Sequence, residues 1–503
     1  MYADAQVATM MWEQKTLFPD NWVFGNQYYV VATPVLAALI YGLCGDGIVS
    51  MGVASSIMML AQICLFVWMI KPFTGKTALA AGSFAFGGAV ILGTSICNCT
   101  TGAQLFYTMA SYYSCYMLGI LLVMGLWMRF SNGYKCSKFA LAFSLFYVFC
   151  LGLQSLRETL VLVLPLLALE LLSYINGKKE KNRARTQFVL AVAAANLCGS
   201  LCASFISAPT NKSISGFSPP ASVSALADNI SSSFSSFVGI SGLRFYLNGI
   251  KWIPLTMLAA FICALAAYVI CRVAVKIFVS RNIGQLESLI VFCFISLLAV
   301  FSAGVFLGFS LRPIYYFVWF LLTSLCFVYL VENVSHRIFK TLLMLSLIGC
   351  GAVNLFYNLY PDFVQYKEQR ELLTQTAHKL EAEGIDCIYV EYVPYYTSAI
   401  AACSSGEIEA APVMLDTDDE NGFCFRAFPH LVKTSLFDAE VKKDAALVLT
   451  QAHLTGSSSF SSFEAMPGSE QSVMDKLELM SVESNQYFDF YIYRILDPSV
   501  IDR

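Results

Sequence analysis

At 503 residues, 57% hydrophobic and only 13% charged, the chain departs from soluble proteins, which carry roughly 25% charged residues. A mean hydropathy of +0.64 needs long apolar runs that water does not tolerate, so the composition specifies a polytopic membrane protein and excludes a cytosolic enzyme, a collagen-like chain or a disordered tail. A net charge of -3 and a pI near 5.9 leave no basic excess for a phosphate backbone, which excludes nucleic acid as a partner.

The first apolar stretch, Tyr28 to Cys44, is short, contains Pro34 and is followed by Gly45-Asp46-Gly47. It reads as an interfacial or re-entrant helix closing an N-terminal segment, residues 1–48. Runs long enough to cross roughly 30 Å of hydrocarbon then begin near Val49, Thr77, Leu105, Phe139, Thr159, Phe188, Trp252, Ser288, Ile314 and Thr341, which predicts about ten transmembrane helices over 49–358.

Lysine and arginine are gathered in alternate loops, as the positive-inside rule requires of a correctly divided chain. Lys71 and Lys76, Arg129 to Lys138, Lys178 to Arg185, Arg272 to Arg281, and Arg337 with Lys340 fall on the predicted cytoplasmic side. The opposite loops hold only Arg157, Lys212, Arg244, Lys251 and Arg312. The N-terminal segment and everything after Asn358 are thereby predicted to lie outside. The outer stretch from Ser207 to Ile250 is rich in Ser, Gly and Pro and reads either as a mobile cover or as a plain surface loop.

From residue 359 the composition turns polar. Tyr366 to Ala382 has helical period; Ile385 to Val390, Ala411 to Leu415, Ala445 to Thr450 and Phe488 to Leu496 read as strands, with a helix over Val473 to Met480. The fold class expected is thus an α-helical polytopic membrane protein with a small C-terminal α/β extracytoplasmic domain, residues 359–503.

Most of the 17 cysteines, among them Cys64, Cys115, Cys150, Cys263 and Cys293, fall inside apolar runs as small core residues. Cys97 and Cys99 share one loop at a separation too short for an easy disulfide. With four scattered histidines, no HExxH and no paired CxxC motifs, no metal site is expected. Glu170, Glu287, Glu332 and Arg272 sit near span ends without an opposite charge one helical turn away, a pattern unlike the buried carboxylates of a proton relay. Arg157 and Glu158 occupy a tight outer turn, and Arg312 a similar one in Ser310-Leu-Arg-Pro-Ile-Tyr-Tyr; an arginine there reaches head groups or a bound phosphate. Sequon triplets start at Asn98, Asn211 and Asn229, and Tyr392, Tyr395 and Tyr396 form a tyrosine-rich run suited to sugar stacking or core packing.

The stretch from Tyr2 to Tyr29, with Asp4, Glu13 and the aromatic, Pro-containing run Phe18-Pro-Asp-Asn-Trp-Val-Phe, resembles the first outer loop of the GT-C membrane glycosyltransferases, which include the protein O-mannosyltransferases and lipid A aminoarabinose transferases. A juxtamembrane helix, a span ending in a basic loop and an outer C-terminal domain are similar to that superfamily too. The resemblance implies transfer of a sugar from a polyprenyl-phosphate donor to a cell-envelope glycan, lipid or protein acceptor. Asp4 would be the catalytic base, Arg157 and Arg312 would bind the donor phosphate, and Glu13, Asp20, Glu158 or Arg244 would be auxiliary. The implied partners are the bilayer and the lipid-linked sugar, with no other cofactor. Two features depart from the family pattern: Asp4 stands almost at Met1, which implies a true start further upstream or a truncated gene, and Ile96 to Gln104 lacks the aspartate that many members carry. The alternatives are a non-catalytic polytopic protein or transporter with an outer binding domain, and a truncated, inactive relative.

Overall fold

The computed structural model describes residues 2–91, 112–175, 183–210, 219–244, 247, 249–280, 283–309, 311–391, 399–404, 407–416, 424–428, 431–438, 440–450, 475–485 and 489–502. Cys97, Cys99, Asn98, Asn211, Lys212, Tyr392, Tyr395 and Tyr396 lie outside the described residues.

The chain is a polytopic α-helical membrane protein with a C-terminal β-sheet region. Among the described residues seven helices are long and apolar enough to cross a bilayer: Gly47–Phe73, Ser114–Ser131, Arg183–Phe205, Ile253–Val279, Gln285–Leu307, Pro313–Asn333 and Arg337–Tyr357. The other predicted spans are shorter helices. Lys138–Gln154 and Thr159–Ile175 have 17 residues or fewer of apolar helix, about 25 Å at 1.5 Å per residue. Lys76–Phe84 runs into a wide turn over Ala85–Ala89, where Gly88 takes φ 131°, a conformation closed to other residues.

Local sequence explains the first bends. Pro34 does not interrupt its helix: it stands in the first turn of Thr33–Cys44, where its missing N–H costs nothing. Gly45 ends that helix in the left-handed region, and the Asp46 side chain accepts from Val49 N to cap the next helix.

Ser114–Ser131 and Pro313–Asn333 are enclosed by protein, whereas Arg183–Phe205 and Arg337–Tyr357 present leucine and phenylalanine outward, among them Leu190, Leu197, Phe339 and Leu345, an apolar surface suited to lipid. The helix Lys138–Gln154 crosses Arg183–Cys202 with no room between backbones. A methyl group on Gly199 would stand 2.1 Å from Phe149 O, and one on Gly152 would stand 2.3 Å from Asn196 O. Small residues at a crossing are how helices in lipid approach closely.

The helix ends form two groups. At one end, Arg185 pairs with Glu170 at 2.9 Å, Lys276 pairs with Glu287, Gly75 N donates to Glu332, and Arg129 donates to Trp68 O. The partners that Glu170 and Glu287 lack along their own helices come from neighbouring ones. This end also gathers the basic loops. At the other end lie the N-terminal segment and the Gln154–Thr159 turn.

The stretch from Ser207 to Ile250 is not a plain loop. It holds a 19-residue helix, Val223–Ser241, capped by Ser222 and packed through Ser233 and Ser236; Ser236 Oγ donates to Leu311 O and Tyr316 Oη donates to Ser233 O. Its serine content, which reads as loop in isolation, is the small-residue face of a packed helix.

In the C-terminal region the order is β7-β8-β6-β2-β3-β4-β9, with β2 (Cys387–Glu391), β3 (Glu409–Asp416), β4 (Cys424–Ala427), β6 (Ala445–Thr450), β7 (Leu477–Ser484), β8 (Asp489–Ile495) and β9 (Ile501–Asp502). The helix Tyr360–Ala382 covers one face, packing Leu372, Ala377 and Leu380 on Ile388 and Val390; Tyr389 points to the opposite core with Leu436 and Phe437. That is the period-2 alternation of a strand covered on both faces. Where a helix was predicted over Val473 to Met480, Leu477–Ser484 is instead an edge strand antiparallel to β8, with a bulge between Leu479 and Ser481. Cross-strand pairing overrides the local helical period there.

Two short strands tie this region to the membrane body. β1 (Trp22–Val23) pairs antiparallel with β5 (Val432–Lys433), and on its far side Phe24 N donates to Pro209 O.

Candidate active site

Asp4 lies in the first turn of the helix Tyr2–Glu13, where the helix dipole favours a negative charge. The carboxyl is buried and accepts a 2.7 Å hydrogen bond from Tyr29 Oη. After this helix the chain reverses through Lys15 and Asn21, both at positive φ, and returns through Trp22 to Tyr29 across the same surface. Burial, and next the Asp4 charge, push the Tyr29 phenol well above its ordinary range, so it stays a donor.

From Tyr29 a run of aromatic rings leads away. Tyr29 meets Tyr112 with centroids 6.3 Å apart, Tyr112 meets Tyr113 at 5.2 Å, and Tyr113 meets Tyr315 at 6.4 Å and Phe317 at 5.5 Å. These rings come from three elements: the segment before Thr33, the start of the Ser114–Ser131 helix, and the start of Pro313–Asn333.

Arg157 closes the far side. Its guanidinium stands 5.0, 5.3 and 5.1 Å from the ring centres of Tyr113, Tyr116 and Tyr315, distances at which ring quadrupoles attract a cation. Arg157 Nη1 donates to Gln27 Oε1 at 2.9 Å, and Tyr116 Oη donates to the same oxygen at 2.6 Å. Gln154 holds this frame together: its Oε1 accepts from Val30 N and Val31 N, its Nε2 donates to Tyr116 Oη at 3.2 Å, and its carbonyl accepts from Tyr28 N. Tyr112 feels the charge of both Arg157 and Asp4. A carboxylate and a guanidinium thus share one tyrosine-lined cluster.

The other predicted site residues are dispersed around it. Glu158 is fully buried, its carboxyl and Leu151 crowding the bare face of Gly119, with no hydrogen-bond partner on either oxygen among the described residues. Burial pushes this carboxyl well above the usual carboxylate range, which favours its neutral form. Arg312 is exposed; its carbonyl accepts from Tyr315 N in the turn that brings the Tyr315 ring to Arg157. Glu13 is exposed at the end of its helix beside Tyr41, Asp20 is exposed with its N–H on Gln14, and Arg244 is exposed in the turn after Val223–Ser241. Of the proposed phosphate ligands, then, Arg157 joins Asp4 in the cluster, while the turn of Arg312 contributes a tyrosine. Among the described residues no group of three His, Cys, Asp or Glu side chains could hold a metal ion.

Gln27, Gln154 and the tyrosines are the members that sequence reasoning missed. A signal was available: Tyr28-Tyr29, Tyr112-Tyr113 and Tyr315-Tyr316 are tyrosine doublets at the edges of apolar runs.

No known protein family, curated protein or solved structure matches this chain. Function therefore rests on the chemistry of the cluster.

Proposed function

We propose that the chain is an integral membrane glycosyltransferase that moves a sugar from a polyprenyl-phosphate donor to a cell-envelope acceptor at the extracytoplasmic face. The observation that carries the reading is the presence of buried Asp4 and of Arg157 in one tyrosine-lined cluster. Asp4 takes the proton of the acceptor hydroxyl as its oxygen attacks the anomeric carbon. The bond from that carbon to the donor phosphate breaks, and the electron pair leaves with the phosphate, where Arg157 stabilises the developing charge. Of the rings in the cluster, Tyr112 and Tyr315 are partly exposed and offer a flat face to a sugar. The basic loops gathered at the opposite helix ends support an extracytoplasmic location for this end.

The test is transfer of label from a polyprenyl-linked sugar by membranes containing the full-length chain. Asp4→Asn abolishes transfer at unchanged protein level if the reading is right; equal transfer by the variant removes Asp4 from the mechanism. Lipid movement without transfer, indifferent to Asp4→Asn, would favour a transporter instead.

A further inference from the structure

The carboxamide of Gln27 is 2% exposed, and chemistry fixes which way round it sits. Arg157 Nη1 can only donate, so the Gln27 atom 2.9 Å away is the oxygen, the atom that also accepts from Tyr116. The amide nitrogen must lie on the other branch, and there it is buried with no hydrogen-bond partner. Orphaned buried donors destabilise a fold.

A glutamate at position 27 would accept the same two hydrogen bonds and add a charge pair with Arg157, replacing the orphan donor by a second carboxylate oxygen. Glutamine instead leaves the guanidinium without a counter-charge. Arg157 forms no ion pair among the described residues, and the groups facing it are tyrosines. The adjacent carboxyl of Glu158 is directed against Gly119, and Asp4 takes its hydrogen bond from Tyr29. Among the described residues Gln27 is the one side-chain acceptor of this half-buried arginine, which leaves further N–H donors for a ligand. Local stability is sacrificed here to keep a positive charge open.

We infer that Gln27 is a positioning and specificity residue: its carbonyl aims Arg157, and its neutrality reserves the guanidinium for a phosphate oxyanion. This deepens the donor-phosphate role of Arg157 in the proposed function, and does not depend on sugar transfer taking place.

The experiment uses the purified full-length chain in detergent micelles and reads two quantities: the unfolding midpoint, and the affinities for farnesyl phosphate, farnesol and inorganic phosphate. Gln27→Glu is expected to unfold at a higher temperature than the wild type yet bind farnesyl phosphate about tenfold or more weakly, the loss of one hydrogen bond to a charged group. Farnesol binding stays unchanged. Gln27→Met, similar in length but with no carbonyl to aim Arg157, also weakens farnesyl phosphate selectively, which covers the case of a misfolded glutamate variant. A purely structural Gln27 would not move stability and phosphate affinity in opposite directions. Inorganic phosphate competing on equal terms assigns the anion to free phosphate, and its failure to compete assigns it to a lipid headgroup; both support the inference.

Unchanged farnesyl phosphate affinity in Gln27→Glu overturns the inference, as does a wild type that binds none of the phosphate probes. The two readings fail separately. Glutamine-dependent phosphate binding without label transfer removes the glycosyltransferase and leaves this site standing. Transfer that is indifferent to residue 27 does the reverse.

Discussion

Tyr29 Oη donates a 2.7 Å hydrogen bond to Asp4 Oδ1, linking the first helical turn to the segment that leads into the membrane. The bond aims the carboxyl group, and the phenol stays its donor because burial and the Asp4 charge hold it far above its ordinary range. Tyr29→Phe removes one hydrogen bond to a charged group, worth about 1.5–3 kcal/mol. Transfer of labelled sugar should fall about tenfold or more in this variant, and vanish in Asp4→Asn.

The Gly199 crossing predicts a contrast between two glycines in apolar helices. A methyl at Gly199 meets Phe149 O at 2.1 Å, whereas one at Gly349 meets nothing within 4 Å. Gly199→Ala should cost about 1–3 kcal/mol by overpacking, and Gly349→Ala should be neutral or slightly stabilising through helix propensity. Thermal unfolding in detergent micelles measures both.

Glu158 predicts a pH dependence. Its carboxyl is raised in the fold by burial and ordinary, near 4.3, in the unfolded chain. Below the ordinary value both states are neutral and nothing is lost. As pH rises through it, the unfolded chain releases a proton that the fold retains. Stability then falls by about 1.4 kcal/mol per pH unit until the raised value is reached. Glu158→Gln removes this slope, so its unfolding midpoint should match the wild type at acid pH and exceed it as the pH rises above the ordinary carboxylate range.

The pairing of β1 with β5 predicts a cross-link. Val23 stands directly opposite Val432 in an antiparallel register, where Cα atoms are about 4.5–5.5 Å apart, within the range a disulfide spans. A Val23→Cys, Val432→Cys double variant should oxidise to an intramolecular disulfide, seen as a reducible mobility shift. Either single variant should not.

Sidedness can be read from native thiols. Cys44 is exposed at the end that holds Asp4, and Cys136 lies in the turn following Ser114–Ser131 at the opposite end. An impermeant thiol reagent applied to intact cells should label a chain retaining only Cys44 and spare one retaining only Cys136. The reverse labelling would place the cluster in the cytoplasm.

The polytopic class was legible because hydropathy is a property of composition, and so was the strand Ala445–Thr450, whose apolar run is bounded by polar sequence. The helix Val223–Ser241 was not, because its serines carry meaning only against Gly304 and Leu311, which face it. Asp4 and Arg157 were individually legible as an acid and a base outside the apolar runs. That they share a cluster was not, because the contact runs through Tyr29, Tyr112 and Tyr113, residues whose types are equally at home in any apolar core.

Sequence alone determined that this chain enters a membrane, that its basic loops gather on one side and that a polar α/β region follows, since each depends on local composition and the cost of placing charge in hydrocarbon. Tertiary structure decided which residues meet. Gln27 accepts from Arg157, Glu158 is buried without a hydrogen-bond partner among the described residues, and the turn of Arg312 brings the Tyr315 ring to Arg157. The physical reason is that charge compensation and burial are set by neighbours far apart in the chain, and no local pattern encodes which of them meet.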